Sequence, residues 1–88
     1  MPKSFHVNIL APEKKIFEGE IFSLVVPAAL GYLGVLADHV PLIAGLLPGK
    51  IILKDNAGQE TVLRNESGGY LEFSGNMATI LLDSVGQF

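Results

Sequence analysis

Glycine and proline interrupt this chain so often that no apolar stripe at helical spacing survives for three turns. Ten glycines and five prolines fall among 88 residues. Short strands joined by turns are what such punctuation permits. Phe5, Val7 and Ile9 alternate with His6 and Asn8, the pattern of a half-buried strand. Residues 14–20 read as a second strand, with Phe17, Gly19 and Ile21 on one side and Glu18 and Glu20 on the other. Residues 22–26 are apolar and suit a strand buried on both faces, which Pro27 is expected to stop. Further strands are expected over 31–36, 39–47, 50–54, 59–65, 70–73 and 78–82. Pro48-Gly49 suits the centre of a type II turn, and Asp55-Asn56-Ala57-Gly58 suits a hairpin turn. The fold class this implies is all-β: about ten short strands in one flattened sandwich or barrel over residues 1–88.

Composition narrows the function. Forty-nine per cent of the residues are hydrophobic and 17% charged, which excludes a disordered chain. There is no cysteine, so neither a disulfide frame nor a thiolate site can be built. A net charge of -3 leaves no basic patch, so nucleic acid is not an expected partner. No secretory signal is evident at the start, and the Asn65-Glu66-Ser67 sequon reads as a chance match. Residues 21–49 carry one formal charge, Asp38. Pro27, Gly31, Gly34, Pro41, Gly45 and Pro48 break that stretch, which points to a core and contact surface rather than a membrane span.

Chemistry is scarce. Asp38-His39 invites a catalytic dyad, but neighbours on a strand point to opposite faces and no nucleophile elbow accompanies them. His39 reads instead as a turn or interface histidine hydrogen-bonded to backbone. Gly45-Leu46-Leu47-Pro48-Gly49-Lys50 is one residue short of a phosphate loop and lacks its Ser/Thr. Glu18 and Glu20 alone make a poor calcium site, and two histidines a poor zinc site. No catalytic, cofactor-binding or metal residue is expected. Between residues 21 and 47 apolar side chains occupy both strand parities, so the strands are buried on both faces or one face meets a partner. Interaction is the better reading, against the alternative of an unrelated small sandwich that binds a ligand near His39.

The order of motifs resembles the epsilon chain of F-type ATP synthases (the delta chain of mitochondria). The resemblance rests on Val25-Val26-Pro27, then Gly31-Tyr32-Leu33-Gly34-Val35-Leu36, then His39-Val40-Pro41-Leu42. It continues through Leu46-Leu47-Pro48-Gly49, Gly68-Gly69-Tyr70-Leu71-Glu72-Phe73 and Asn76-Met77-Ala78-Thr79-Ile80-Leu81-Leu82-Asp83. Pro12-Glu13 and Ile16-Phe17-Glu18-Gly19-Glu20 match its early segment. The resemblance implies a ten-stranded β-sandwich in a non-catalytic rotor subunit, without cofactor. It implies two partners, the gamma chain and the subunits of the membrane rotor ring. The ring would be met by Leu30, Gly31, Tyr32 and Leu33, and gamma by Ala11, His39, Leu42, Ile43 and Ala44. The family often carries Glu where Leu30 and Tyr32 stand, and Pro-Gly or Pro-Asn where Ala37-Asp38 stand. Typical members continue into two helices that inhibit hydrolysis and in some members bind ATP. The given sequence ends five positions after Asp83, so those helices are expected to be lacking. The isolated domain is expected to be monomeric. Its place in the cell would be the cytoplasmic face of the bacterial inner membrane, reached through the complex.

Overall fold

Every strand expected from alternation forms, and pairing brings them into one curled sheet. The computed structural model describes residues 3–83 and 85–86. Residues 1, 2, 84, 87 and 88 lie outside the described residues, and with them both ends of the domain expected over 1–88. The strands are β1 (Phe5–Ala11), β2 (Lys14–Ile21), β3 (Ser23–Ala28), β4 (Gly31–Leu36) and β5 (Leu42–Leu46). They continue with β6 (Gly49–Lys54), β7 (Glu60–Asn65), β8 (Gly69–Ser74), β9 (Met77–Leu82) and β10 (Val85–Gly86). The order across the sheet is β10-β7-β6-β3-β5-β8-β9-β1-β2, with β4 paired to β3. β3 gives its first half to β6, from Ser23 to Val25, and its last residue to β5 through the Ala28–Leu46 pair. The sheet turns over at that seam into two layers.

Their inner faces form one core. Leu24, Val26, Val35, Ile51 and Leu53 come from one layer. Phe5, Val7, Ile9, Leu71, Phe73, Ala78, Ile80 and Leu82 come from the other. Phe5 and Phe73 meet edge to face, with ring centroids 5.4 Å apart and planes at 83°. β1 is inserted between β2 and β9 and runs parallel to β9, with Val7 opposite Ala78 and Ile9 opposite Ile80.

Four expectations need correction. Pro27 does not stop the strand: β3 runs through it to Ala28. Its carbonyl accepts the Leu47 N–H at 2.9 Å, so its missing N–H falls on the same side, at the seam where β3 leaves β6 for β5. Pro48-Gly49 is not a type II turn, because Gly49 opens β6 with φ at 158° rather than near +80°. A side chain there would lie 2.8 Å from Pro27 Cβ, and that close approach is what requires glycine. Finally, residues 22–26 are not buried on both faces: Leu24 and Val26 are buried, whereas Ser23 and Val25 are half-buried. The strand expected over 39–47 is also shorter, because residues 39–41 belong to the loop before β5.

Polar side chains hold the loops. Asp55 Oδ1 accepts the N–H groups of Ala57 and Gln59, both at 2.9 Å, and closes the β6–β7 turn. Asp38 and Asn76 both adopt left-handed backbone, at φ 66° and 57°, a conformation these residue types tolerate. Asn76 Nδ2 donates to Asp38 Oδ1 at 2.9 Å, and Asn76 Oδ1 accepts the Asp38 N–H at 2.6 Å. This reciprocal pair ties the loop after β4 to the turn between β8 and β9. Lys3 Nζ adds a salt bridge to Asp38 at 2.9 Å.

Candidate docking surfaces

The residues left outside the core fall into two apolar surfaces. The first is the β3–β4 hairpin. Ala28 pairs with Gly31, so Ala29 and Leu30 alone form the turn, and the Leu30 side chain stands fully exposed at its tip. Gly31 takes the positive φ, 119°, that closes so short a connection. Tyr32 is 59% exposed, yet its phenol is not free. Its hydroxyl accepts the Lys50 N–H at 3.3 Å, which lays the ring over Pro27. Leu33 points the other way, toward the core. Of the four residues expected to meet the ring, the hairpin therefore presents Leu30, Gly31 and Tyr32 outward. Leu33 supports them from inside.

The second surface is the outer face of β5, β8 and β9. Register places Ile43 opposite Glu72 and Glu72 opposite Thr79; Tyr70 lies between Gly45 and Leu81. Ile43 is 75% exposed, Tyr70 64% and Leu81 51%. They line a cleft with Glu72 and Thr79 that is open to solvent.

The residues expected to meet gamma do not form one patch. Ile43 lies on this outer face, whereas Leu42 and Ala44 have the inward parity of Leu46. Ala11 ends β1, three strands away from β5. His39 lies in the loop before β5. Its Nδ1–H donates to the Val40 carbonyl at 2.7 Å and its ring stands edge-on to Phe73, with centroids 6.0 Å apart. This is the backbone-bound loop histidine; Asp38 is engaged with Lys3 and Asn76 and does not orient it. Tyr70 and Leu81 were missed by sequence reasoning. Their alternation with Leu71, Phe73, Ile80 and Leu82 marks them as outward, but only the register shows that they adjoin Ile43.

A charged cluster borders this layer at β2. His6 Nδ1 lies 2.8 Å from Glu20 Oε2, and His6 Nε2 lies 3.0 Å from Glu18 Oε2. Both carboxylates only accept, and neutral imidazole has one N–H, so satisfying both calls for imidazolium. The hydrogen bond to Glu20, then that to Glu18, holds the His6 pKa above its ordinary 6.5. Lys15, then His6, holds Glu18 below its ordinary 4.5. On the other side of β1, β9 places only Met77 and Thr79 against His6 and Asn8. A raised histidine pKa stabilises the fold below pH 6.5, and that contribution is lost as pH rises through the raised value. Depressed carboxylates act oppositely: those of Glu18 and Asp38, the latter lowered by Asn76 and then Lys3, are lost as pH falls through their lowered values. Melting curves of the wild-type chain and His6→Gln are expected to differ most just below pH 6.5 and to approach each other as pH rises through the raised His6 value. A constant difference across that range contradicts the clamp.

No helix in the described residues is long and apolar enough to cross a membrane. Residues 4–87 match the family model described as the β-sandwich domain of the ATP synthase delta/epsilon chain. The ATP synthase epsilon chain of Dichelobacter nodosus is 41% identical over 85 residues, a match spanning 97% of this chain and 59% of that one. The epsilon chain of Chlorobaculum tepidum is 39% identical over 83 residues, covering 94% of this chain and 93% of that one. Among solved structures, a chain of the Euglena gracilis mitochondrial ATP synthase (OSCP/F1/c-ring) superposes with a TM-score of 0.89 at 18% identity. That superposition covers 98% of this chain and 54% of the other, and it shows the shared fold.

Proposed function

Because this chain belongs to the β-sandwich family of ATP synthase delta/epsilon chains, we propose that it is a non-catalytic central-stalk subunit linking the gamma chain to the membrane rotor ring. On this reading residues 1–88 form one epsilon-type domain that turns with the rotor. It works at the cytoplasmic face of a bacterial inner membrane, held there by the complex. The observation that carries it is the pair of separate apolar surfaces. A coupling part must hold two neighbours at once, and each standard interface takes about 800 Å². The total surface is 5185 Å², so two such interfaces would cover about a third of it. The hairpin tip with Leu30 and Tyr32 serves the ring. The outer face with Ile43 serves gamma, and Leu42 and Ala44 set its shape from within, whereas His39, in the loop before β5, and Ala11, at the end of β1, would meet gamma apart from that patch.

The direct test is to purify the tagged chain from membranes and identify what accompanies it. Gamma and ring subunits are the expected companions, and their absence overturns the reading. Tyr32→Ala removes the ring over Pro27 and is expected to weaken retention of the rotor ring by about tenfold, a change of about 1.4 kcal/mol. Tyr32→Phe keeps the packed ring and gives up one hydrogen bond, so its loss should stay within about threefold. Equal retention of the ring by wild type and Tyr32→Ala removes Tyr32 from the interface.

A further inference from the structure

Register lays the outward side chains of β5, β8, β9, β1 and β2 in rows across the strands. Gly45, Tyr70, Leu81 and Leu10 form one row, and Ile43, Glu72, Thr79, Asn8 and Glu18 the next. Met77, His6 and Glu20 lie in a third. Three carboxylates share this face, and two of them are engaged. Glu18 binds Lys15 and His6, and Glu20 binds His6 and Ser4. Glu72 has no ion pair or hydrogen bond among the described residues. It stands exposed in the cleft with Ile43, Tyr70, Thr79 and Leu81.

A partner that covers those three apolar side chains covers the carboxylate between them. A carboxylate taken out of water without a counter-charge costs more than the apolar contact around it returns. The occupant of the cleft must therefore bring a cation, and bring it among apolar side chains. A second acceptor lies in the same row. Asn8 Oδ1 is buried and has no hydrogen-bond partner. The other end of that amide is not bonded among the described residues either, so a half turn brings the oxygen outward without breaking a bond. Only β9 separates β8 from β1, so Glu72 and Asn8 stand about 10 Å apart across Thr79. A guanidinium laid over Thr79 has donors for both acceptors and a plane that stacks on the adjoining Tyr70 ring. A lysine ammonium is a point charge and serves one of them.

We propose that this cleft is a socket for an arginine that a partner protein presents between apolar side chains, with its guanidinium on the Glu72 carboxylate and the Asn8 carbonyl. The requirement comes from the face itself and holds for any chain that covers it. It rests on the rotor reading above only in making that chain gamma, and adds what gamma must carry there.

Recovery of gamma with the tagged full chain from membranes tests it. Glu72→Gln keeps the shape and removes the charge, at an exposed site without a partner in the domain, so its melting temperature should match wild type. It should lose at least about tenfold in gamma retention at about 0.1 M salt. Wild-type retention should fall as salt rises toward about 1 M, and that of the variant should change much less. Asn8→Leu gives up one hydrogen bond and should lose about threefold. Ile43→Ala reports on the face itself and should weaken gamma retention whatever the cation. Wild-type retention by Glu72→Gln, with a loss in Ile43→Ala, overturns the arginine socket and leaves gamma on this face. Full retention by both variants takes gamma off the face and overturns the proposal with it. A carbodiimide product joining Glu72 to gamma makes the cation a lysine, because the reagent couples carboxylates to amines and not to guanidinium, and overturns the arginine. Self-association of the free chain that Glu72→Gln abolishes makes a second copy the occupant and overturns the proposal. A wild-type chain that recovers no gamma overturns both the socket and the rotor reading.

Discussion

Phe73→Ala is expected to destabilise the domain by about 3–5 kcal/mol, the range for removing a buried aromatic ring. Phe73 is 1% exposed, and its ring is touched edge-on by both Phe5 and His39. The surrounding wall is sheet backbone from β5, β8 and β9, which cannot collapse into the space as a loop could. For a domain this small each kcal/mol lowers the melting temperature by about 4–8 °C, so a fall of about 12–40 °C follows. Small domains hold about 5–15 kcal/mol in all, so the variant stands near the threshold of folding at 37 °C. Urea titration gives the free energy directly. A loss under 1 kcal/mol shows that the layers close over the cavity. The His39 ring resonances provide a local check, because they lose the shielding of the Phe73 face without any change at Val40.

Asn65→Leu is expected to cost about 2–4 kcal/mol even though it adds apolar bulk to a buried site. Asn65 is the buried polar residue among the described ones, 1% exposed at the end of β7. Its Nδ2 donates to the Leu47 carbonyl at 3.0 Å and its Oδ1 accepts the Gly68 N–H at 2.9 Å. One amide thus serves the connection before β6 and the turn before β8. Leucine fills the volume and leaves a part-buried carbonyl and a buried N–H without partners. Asn65→Asp separates the two halves of this role. It keeps an acceptor for Gly68 but offers no donor to Leu47 while ionised, and burial disfavours its charge. Its defect should therefore be severe at pH 7 and partly relieved near pH 4, where the acid is protonated and can donate. A defect independent of pH contradicts the donor role. The same burial explains why the Asn65-Glu66-Ser67 sequon is structural: an amide enclosed between two connections is not available to a glycosylating enzyme.

The legible part of the fold was whatever one strand records about itself. Alternation in residues 5–9 and 70–73 gave the inward faces correctly, because period two is fixed by backbone geometry. Pro27 misled, since a proline stops a strand only where its N–H would have been used. Its position at the seam depends on where β5 and β6 arrive, which residues 22–28 do not encode. The surfaces divide in the same way. The hairpin tip is a local object, formed by six consecutive residues, and could be placed from sequence. The outer face is assembled from Ile43, Tyr70 and Leu81, on three strands, and comes together only through register. The expected gamma set mixed parities for that reason: Leu42, Ile43 and Ala44 are neighbours in the chain and cannot all face one partner.

The parallel pairing of β1 with β9 also governs how the molecule must be made. β1 can take β2 as soon as the turn at Pro12-Glu13 has left the ribosome, but its other edge waits for Leu82, which lies 71 positions after Ala11. At about 5–20 residues per second that wait lasts about 4–14 s. Before it ends the opposing layer of β3, β4 and β6 has been synthesised, but throughout it the edge of β1 that β9 will occupy has no strand to pair with. The order of synthesis therefore leaves the first strand made with an unpaired edge longest, and makes that edge the place on which a holding chaperone would act.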